Sequence, residues 1–311
     1  MKALVFTAPG VVELRDVPEP AVGPGEVLVH VAVAGICGSE LHGVRNPGFR
    51  VPPLIMGHEF AGTTDDGRRV VVNPIVSCGG CDLCGRGLPQ VCRRRCIVGV
   101  HRPGAFAERV AVPASAVHPL PDAVGWEAGG VAEPAANAVH AWTLAGRPAG
   151  ARVGVIGAGA IGLVCLLVAA GGGAASVDVA DLSADRRAGA LRLGAAAAGT
   201  ELAGEYDVVF DAVGTAGTRR QSLARLRPGG AAVWLGLLDD APGFAATDLI
   251  RKEQRVLGSF AYTAEELAGA LALTARWDLS WVTSVPFAEA ATVFTALMNG
   301  RPDPVKALLR T

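Results

Sequence analysis

The residues best suited to chemistry are four cysteines that follow one another closely in the first half of the chain. Cys78, Cys81, Cys84 and Cys92 have the spacing C-x₂-C-x₂-C-x₇-C and lie in a glycine-rich stretch. Four thiolates on a short loop can surround Zn²⁺ as a closed tetrahedron, which is typical of a structural zinc site. The loop has little apolar content, so the metal would supply much of its folding energy. An iron–sulfur cluster also takes four cysteines, although usually with other spacings.

A second group of potential metal ligands is spread along the chain. Cys37, His58, Glu59 and Glu133 offer a thiolate, an imidazole and two carboxylates. Each has an ordinary structural explanation when it is taken singly. A lone cysteine is often a buried apolar side chain, a lone histidine is often a hydrogen-bonded core residue, and a lone glutamate is usually solvated. Residue type alone therefore does not make these four residues a site.

A nucleotide-binding motif begins in the middle of the chain. Residues 153–156 form an apolar run typical of a buried strand, and Gly157, Gly159 and Gly162 follow as G-x-G-x-x-G ahead of helix-forming residues. The first glycine permits a tight turn, the second lets backbone N–H groups approach a pyrophosphate, and the third lets helix and strand pack closely. The helix N-terminus adds positive charge at the phosphates. Asp181 ends the next predicted strand about 20 residues further on, where its carboxylate can bind ribose hydroxyls.

The same region has an alternative explanation as a membrane span. Residues 153–177 carry no charge and are numerous enough to cross a bilayer. Glycines fall at the turn after the strand and again at residues 171–173, so they divide the stretch into a strand, a helix and a loop. We prefer the dinucleotide-binding hypothesis, because strand, turn, helix and acid stand at the required offsets.

Length and composition favour a two-domain globular protein. The chain has 311 residues, of which 50% are hydrophobic and 18% are charged. A net charge of −1 gives no reason to expect a nucleic acid or an anionic membrane as partner. The first residues lack the pattern of a signal peptide, so we expect a cytoplasmic protein. In that compartment the seven cysteines fit metal binding better than disulfides.

The elements that must position these residues change character along the chain. About the first 35 residues alternate like short strands separated by proline and glycine turns, which indicates a β-rich beginning. From about residue 144 to residue 282, strand-like and helical stretches alternate, which predicts a parallel sheet wound on both faces. Ser183 is predicted to cap the helix that follows Asp181.

Taken in chain order, these motifs resemble the zinc-dependent medium-chain alcohol and polyol dehydrogenases of the sorbitol dehydrogenase type. The resemblance rests on Gly57-His58-Glu59, the four-cysteine lobe, Glu133-Pro134 and the glycine motif, with the runs DVVFDAVG at 207–214 and LRPGG at 226–230. It implies an α/β protein in which a Rossmann-type doubly wound parallel sheet is inserted in a GroES-like, mostly β catalytic domain. The predicted domains are 1–143 with the zinc lobe at 78–92, 144–284 for NAD binding, and 285–311 as the return to the catalytic domain.

The resemblance also assigns roles around a catalytic zinc. Cys37 and His58 would bind it, Glu133 would take the third ligand position, and Glu59 would be a close or exchanging ligand. One position would stay open for a substrate oxygen. The predicted catalytic residues are Cys37, Ser39, His42, His58, Glu59 and Glu133.

Two of those residues would move the substrate proton, and a further one would orient a ligand. Ser39 and His42 fit the family's proton relay toward solvent, although an exposed loop histidine would look the same in sequence. Glu40 is a plausible partner that orients His58.

For the cofactor, Asp181 indicates NAD, because a carboxylate there would repel the 2′-phosphate of NADP. Arg186 could contact such a phosphate or belong to a solvated helix face. The resemblance places Asn137 opposite the nicotinamide. The predicted cofactor contacts are Asn137, Gly157, Gly159, Ala160, Ile161, Gly162, Asp181, Leu182, Arg186 and Val213.

These expectations combine into one leading function and one alternative. The leading hypothesis is an NAD- and zinc-dependent dehydrogenase with two zinc ions per chain that acts, as a homodimer or homotetramer, on a secondary alcohol such as a polyol, cyclitol or amino-sugar alcohol. The alternative is a non-catalytic zinc- and nucleotide-binding sensor or scaffold.

Two pocket positions depart from the sorbitol type, namely Gly43, where an aromatic is common, and Ala261, where an arginine is common. Residues 62–70 are also shorter than the usual hairpin.

Overall fold

A computed structural model of the chain describes residues 1–46, 48, 50–240, 246–300 and 303–311. The chain divides into two compact units. The outer unit consists of Met1–Glu133 and Thr263–Thr311, and the central unit consists of Pro134–Tyr262. The central unit is thus inserted in the sequence of the outer one.

The described residues of the first segment of the outer unit form ten strands. They are β1 (Lys2–Ala8), β2 (Val11–Asp16), β3 (Glu26–Gly35), β4 (Leu54–Ile55), β5 (Glu59–Thr64), β6 (Arg69–Val72), β7 (Ile75–Val76), β8 (Cys96–Ile97), β9 (Arg109–Pro113) and β10 (Val117–Pro119). The helices of this part of the chain are α1 (Gly38–Arg45), α2 (Asp82–Gly85) and α3 (Trp126–Leu144), with short 3₁₀ turns at Pro89–Val91 and Ala114–Ala116. The boundary between the units falls inside α3.

The central unit alternates strands and helices, as the sequence predicts. Its elements are β11 (Arg152–Ile156), α4 (Ala160–Gly171), β12 (Ser176–Ala180), α5 (Ala184–Arg192), β13 (Ala197–Gly199), β14 (Tyr206–Asp211), α6 (Ala216–Ala224), β15 (Leu226–Trp234), α7 (Ala246–Arg251) and β16 (Arg255–Gly258). The strands are parallel and ordered β13-β12-β11-β14-β15-β16. Numbered within the unit, this is the 3-2-1-4-5-6 order of a doubly wound dinucleotide-binding sheet. Ser183 caps α5 by accepting the N–H of Arg186, so the predicted cap is confirmed.

The last part of the chain returns to the outer unit. It forms α8 (Ala264–Thr274), β17 (Val282–Pro286), a 3₁₀ turn at Phe287–Glu289, α9 (Ala290–Met298) and β18 (Lys306–Arg310). The predicted boundaries at 143/144 and 284/285 both lie later in the chain than these units place them. Helix α8 groups with the outer unit, and β17 pairs with β18 there, so tertiary contacts rather than a change in pattern define where the central unit ends.

The main sheet of the outer unit is built around β3, which sets the position of the candidate site. The sheet has the order β10-β6-β5-β3-β18-β17, and β9 pairs with another part of β3. The two antiparallel neighbours of β3 meet the same residue, because Gly35 pairs with Glu59 of β5 and with Leu308 of β18. A core of buried side chains that includes Phe60, Phe106 and Phe294 covers these strands. The end of β3 therefore lies beside the starts of both β5 and β18.

Candidate functional site

The strand register of the outer unit brings three of the predicted ligands together. Cys37 follows the end of β3 and caps the N-terminus of α1, while His58 and Glu59 stand at the start of β5. The ligand atoms of Cys37, His58 and Glu59 all lie within 4.8 Å of one another. A thiolate, an imidazole and a carboxylate are donor types that zinc accepts, so this cluster fits a zinc ion.

A buried carboxylate fixes the orientation of His58. Oε1 of Glu40 lies 3.0 Å from Nδ1 of His58 and accepts the N–H of Gly57 at 2.8 Å. Its Oε2 accepts the N–H of Cys37 at 3.0 Å. With Nδ1 engaged, Nε2 of His58 is the ring nitrogen left to bind a metal. The predicted orienting role of Glu40 matches this geometry.

Charge in this buried cluster is balanced locally. Burial would raise the pKa of Glu40, but the charges of His58 and Arg50, together with its hydrogen bonds, outweigh burial and hold that pKa below its usual value. Burial would likewise lower the pKa of His58, yet the negative charges of Glu40 and Cys37 dominate and raise it well above normal.

A buried lysine that the sequence analysis missed completes the cluster. Lys306 begins β18, is 1% exposed, and forms an ion pair with Oε2 of Glu59. Its ammonium also donates to the backbone oxygen of Ile36 at 3.1 Å. Burial would lower the pKa of Lys306, but the charges of Glu59 and Cys37 raise it above normal. The sequence feature that could have pointed to this residue is a lysine that begins the otherwise apolar run KALL in the last strand.

The remaining predicted catalytic residues lie on two helices. Ser39 is in the first turn of α1, and its hydroxyl donates to Sγ of Cys37 at 3.3 Å. His42 is exposed on the same helix, with Nδ1 3.5 Å from Nδ2 of Asn46. Glu133 is buried on α3 and lies outside the group of ligand atoms within 4.8 Å of one another. The structure therefore brings Ser39 to the cluster, whereas Glu133 is not one of the three mutually close ligands.

The four cysteines of the lobe converge as the spacing predicts. The Sγ–Sγ distances are 3.4 Å for Cys92–Cys78, 3.5 Å for Cys81–Cys84, 3.8 Å for Cys81–Cys92 and 4.0 Å for Cys78–Cys84. Ligands at 2.3 Å in a tetrahedron would place the sulfurs about 3.8 Å apart. The donor set and its spacing fit a structural zinc ion.

Backbone and arginine groups support negative charge in this lobe. Sγ of Cys92 accepts the N–H groups of Cys78 and Arg94, each at 3.3 Å. The guanidinium of Arg94 lies 3.4 Å from Sγ of Cys78. Backbone N–H groups of Cys84 and Arg93 lower the pKa of Cys81 to about 6, whereas desolvation and the neighbouring thiols raise the pKa of Cys84 to about 11. Such N–H groups stabilise thiolates, which are the form that binds a metal.

In the central unit, the glycine motif forms a strand–turn–helix. Gly157 follows β11 with φ of 93°, a left-handed conformation that favours glycine. Gly159 is the N-cap of α4. A Cβ on Gly162 would overlap the carbonyl oxygen of Gly157, which is the close helix–strand contact expected of the third glycine. Ala160 and Ile161 lie in the first turn of α4, where backbone N–H groups are free of helical partners.

Asp181 directly follows β12 and is hydrogen-bonded to this turn. Its Oδ2 accepts the N–H of Ala158 at 2.7 Å, and its Oδ1 accepts the N–H of Ser183 at 2.8 Å. Nη1 of Arg186 lies 4.0 Å from Oδ2 of Asp181. The next residue, Leu182, is 87% exposed. Asp181 therefore orders the glycine turn.

Two further predicted cofactor residues lie elsewhere in the central unit. Val213 follows β14, and its side chain occupies the space that a Cβ on Gly157 would need. Asn137 is partly buried on α3, on the central-unit side of the boundary.

None of the helices among the described residues is long and apolar enough to cross a membrane, and residues 153–177 form β11, α4 and the start of β12 instead.

Two protein-family models match the chain. Residues 23–122 match the alcohol dehydrogenase GroES-like domain, and residues 160–276 match the zinc-binding dehydrogenase domain. The first model falls within the outer unit, and the second begins at the first residue of α4.

Curated relatives are L-threonine 3-dehydrogenases. The one from Mesorhizobium japonicum is 39% identical over 210 residues, which are 62% of this chain and 60% of that protein. The chain thus spans 60% of the length of this relative. The one from Streptomyces avermitilis is 37% identical over 269 residues, which are 76% of this chain and 77% of that protein.

Solved structures resemble the whole chain. A zinc-binding dehydrogenase of Sinorhizobium meliloti bound to NADP superposes with a TM-score of 0.91 at 30% identity, covering 100% of this chain and 99% of that one. Galactitol-1-phosphate dehydrogenase from Escherichia coli gives a TM-score of 0.92 at 27% identity, covering 100% of both chains. The fold predicted from the sequence is confirmed by these likenesses and by the sheet order.

Proposed function

Since this chain belongs to the family of zinc-dependent medium-chain dehydrogenases, we propose that it interconverts a secondary alcohol and a ketone with a nicotinamide cofactor. The observation that carries the proposal is the convergence of Cys37, His58 and Glu59 in a chain that also contains a dinucleotide-binding turn. A protein that only stored zinc or sensed a nucleotide would not need a hydroxyl such as that of Ser39 beside the cluster.

Cys37 and His58 would hold the catalytic zinc, and Glu133 is our proposed third ligand. Glu59 is the other carboxylate nearby, but its Oε2 is already paired with Lys306. A carboxylate oxygen that is shared with an ammonium is a weakened metal ligand, because the ammonium competes with the metal for it. Glu59 then remains a neighbour that can approach the metal. When bound, zinc would act as a Lewis acid that makes the substrate hydroxyl easier to deprotonate.

The chain's own residues would then manage the proton and the hydride. The substrate O–H proton passes to Oγ of Ser39, and the Ser39 hydroxyl proton passes outward, with exposed His42 as the exit to solvent. When bound, an oxidised nicotinamide cofactor would supply the acceptor, at its C4, for the hydride that leaves the alcohol carbon. The products are a ketone, the reduced cofactor and one proton.

We propose NAD as the preferred cofactor, with Asp181 as the discriminating residue. Its carboxylate would accept a hydrogen bond from the ribose 2′-hydroxyl and would repel a phosphate at that position. The double variant Asp181→Gly/Leu182→Ser is expected to raise the KM for NAD and lower the KM for NADP. An unchanged KM for NAD would mean that Asp181 orders the turn without reaching the ribose. Asp185→Gly, an exposed change in the first turn of α5 just after this segment, is the matched control.

For the substrate, we propose a secondary alcohol with a polar group on the adjacent carbon. L-threonine has a hydroxyl beside an amine, and galactitol 1-phosphate has hydroxyls on neighbouring carbons, so the substrates named for two of the similar proteins share this feature. The cyclitols and amino-sugar alcohols expected from the sequence belong to the same class.

The decisive experiment combines metal analysis with turnover. Purified protein is expected to contain two zinc ions per chain and to reduce NAD with at least one of L-threonine, galactitol 1-phosphate and 2,3-butanediol. His58→Ala should lose one zinc and the turnover, whereas Cys96→Ser, a change at a cysteine outside both clusters, should keep both. Two zinc ions with no turnover on a broad panel of alcohols and ketones would instead favour the sensor or scaffold hypothesis.

We further propose a cytoplasmic homodimer or homotetramer. Strand β16 forms one edge of the central sheet, and an unpaired edge can pair with another copy. The same unit exposes large apolar side chains such as Leu237 and Ile250, each 73% exposed. All seven cysteines are free, which suits a reducing compartment. Mass measurement in solution tests the assembly.

A further inference from the structure

A buried arginine lies against the hydroxyl of Ser39. Arg50 is 2% exposed and is among the largest fully buried side chains of the described chain. Its Nη1 donates to the backbone oxygen of Ser39 at 2.8 Å, and its Nη2 donates to Oγ of the same residue at 3.2 Å. One planar guanidinium therefore holds both the backbone and the side chain of Ser39.

This arrangement fixes what the Ser39 hydroxyl can do. Arginine has N–H donors and no acceptor, so Oγ of Ser39 must be the acceptor in its bond with Arg50. The hydroxyl hydrogen therefore points away from Arg50 and is donated in a hydrogen bond to Sγ of Cys37 at 3.3 Å, without being transferred to it. One lone pair of Oγ remains, and it can accept the proton of an alcohol.

The space for Arg50 depends on Gly43, whose presence the sequence analysis could not explain. A Cβ on Gly43 would lie 2.7 Å from Nη1 of Arg50 and 3.4 Å from its Cδ. An aromatic side chain at this position would collide with the guanidinium. The lack of a side chain at Gly43 therefore provides the space in which Arg50 is buried.

We propose that Arg50 is a positioning residue that fixes the Ser39 hydroxyl as the acceptor of the substrate proton. This inference rests on the proposed dehydrogenase function. The fork of two parallel N–H donors sets the Ser39 rotamer, which a single-point donor such as lysine cannot do.

The test compares Arg50→Lys, Ser39→Ala and the double variant, with 2,3-butanediol as the substrate and NAD as the cofactor. Arg50→Lys keeps the charge and loses the fork, so kcat should fall about 10- to 100-fold while the KM for NAD stays unchanged. In the Ser39→Ala background the same change should have little further effect, because residues that act as a unit are not additive. Arg45→Lys, an exposed change on α1, is the matched control and should leave kcat unchanged.

A second measurement does not depend on turnover. Trifluoroethanol, an alcohol that resists oxidation, is titrated into each protein in the presence of NAD, and its dissociation constant is measured by calorimetry. Arg50→Lys should weaken binding about 10-fold, whereas Arg45→Lys should not change it. Melting temperatures within a few degrees of the parent protein identify the variants that remain folded.

The outcomes distinguish a failure of the positioning role of Arg50 from a failure of the proposed dehydrogenase function. If Ser39→Ala lowers kcat but Arg50→Lys retains the parent kcat, or if the two effects multiply in the double variant, the positioning role is wrong and the dehydrogenase function stands. If Ser39→Ala retains full kcat, the proton relay is wrong and the role of Arg50 fails with it. Absence of both turnover and trifluoroethanol binding in the parent protein would overturn the proposed function itself.

Discussion

A buried lysine decides where the carboxylate of Glu59 points. Lys306 and Glu59 are 1% and 2% exposed in their side chains, and each is the other's main charged partner in the described cluster. Gly35 leaves the room for this pair, because a Cβ there would overlap Oε2 of Glu59. A buried ion pair adds little net stability over an apolar pair, but removing one partner leaves an uncompensated buried charge.

We therefore expect Lys306→Met to lower the free energy of unfolding by about 3–5 kcal/mol. The double variant Lys306→Met/Glu59→Leu should recover most of that loss, because no buried charge then remains unpaired. Lys2→Met, which breaks the exposed pair with Asp16, is the control and should change stability by about 1 kcal/mol or less. Urea unfolding followed by circular dichroism measures all three, and equal losses for Lys306→Met and Lys2→Met would contradict the prediction.

Tyr206 offers a test of pH dependence in the central unit. Burial raises the pKa of Tyr206, and the carboxylate of Asp178, which accepts its hydroxyl proton at 2.9 Å, raises it further. A raised pKa means that folding favours the neutral phenol. The stabilising contribution is therefore complete below pH ~10, the usual pKa of tyrosine, and is lost as the pH rises through the higher folded value.

Tyr206→Phe should be less stable than the parent by about 1 kcal/mol at neutral pH, because the hydrogen bond is lost. Above pH ~10 the gap should close, since only the parent carries an ionisable group at this position. Melting temperatures recorded between neutral and strongly alkaline pH test this, and the chain's two tyrosines make the absorbance titration simple to assign. A gap that stays constant across the range would show that Tyr206 ionises normally.

At the scale of elements, the glycine turn depends on the contact between α4 and the end of β11. The carbonyl of Gly157 occupies the place where a Cβ on Gly162 would be. Backbone cannot move aside as a flexible side chain can, so no methyl group fits there without separating helix from strand. The N-terminus of α4, which would bind the pyrophosphate, would move with it.

Gly162→Ala is expected to destabilise the central unit by more than the ~1–3 kcal/mol of ordinary overpacking and to abolish cofactor binding. Gly171→Ala is the matched control on the same helix, because a Cβ there meets open space. That change should be neutral or stabilising by about 0.5–1 kcal/mol, as expected for glycine to alanine in a helix. Binding of NADH measured by fluorescence distinguishes the two, and tight binding by Gly162→Ala would refute the packing argument.

On the scale of the whole molecule, each of the two units has an apolar core of its own. The apolar cluster around Phe60 and Phe106 belongs to the outer unit, and the one around Tyr206 and Val209 belongs to the central unit. The cysteine lobe lies wholly in the outer unit. A defect in the lobe should therefore leave the central unit folded.

Cys92→Ser tests this separation. Cys92 is 0% exposed and would be one of four zinc ligands, so its loss should remove the structural zinc and most of its folding contribution, which is ~10–16 kcal/mol in small zinc peptides. We expect a lower melting temperature, one zinc fewer per chain, a smaller assembly and nearly unchanged NADH affinity. Cys96→Ser is the control, because Cys96 lies on β8 outside the metal cluster. Retention of both zinc ions by Cys92→Ser would show that these cysteines are not a zinc site.

The sequence by itself determined those features whose partners are close in the chain. The cysteine lobe, the glycine turn with Asp181 and the Ser183 cap each lie within one or two adjacent elements, so spacing and residue type suffice to predict them. The alternation of strands and helices also predicted the central sheet, because parallel strands need crossover helices.

Only the tertiary structure decided the contacts between residues far apart in sequence. Lys306 and Glu59 are 247 positions apart and meet because β18 and β5 flank the same strand, a pairing that no local pattern encodes. The hydrogen bond from Arg50 to Ser39 depends on the path of the chain between α1 and β4. The unit boundary inside α3 depends on what each half of that helix contacts. Strand pairing therefore decides which charged side chains neutralise each other at the candidate site. The candidate ligands themselves could be identified from the sequence.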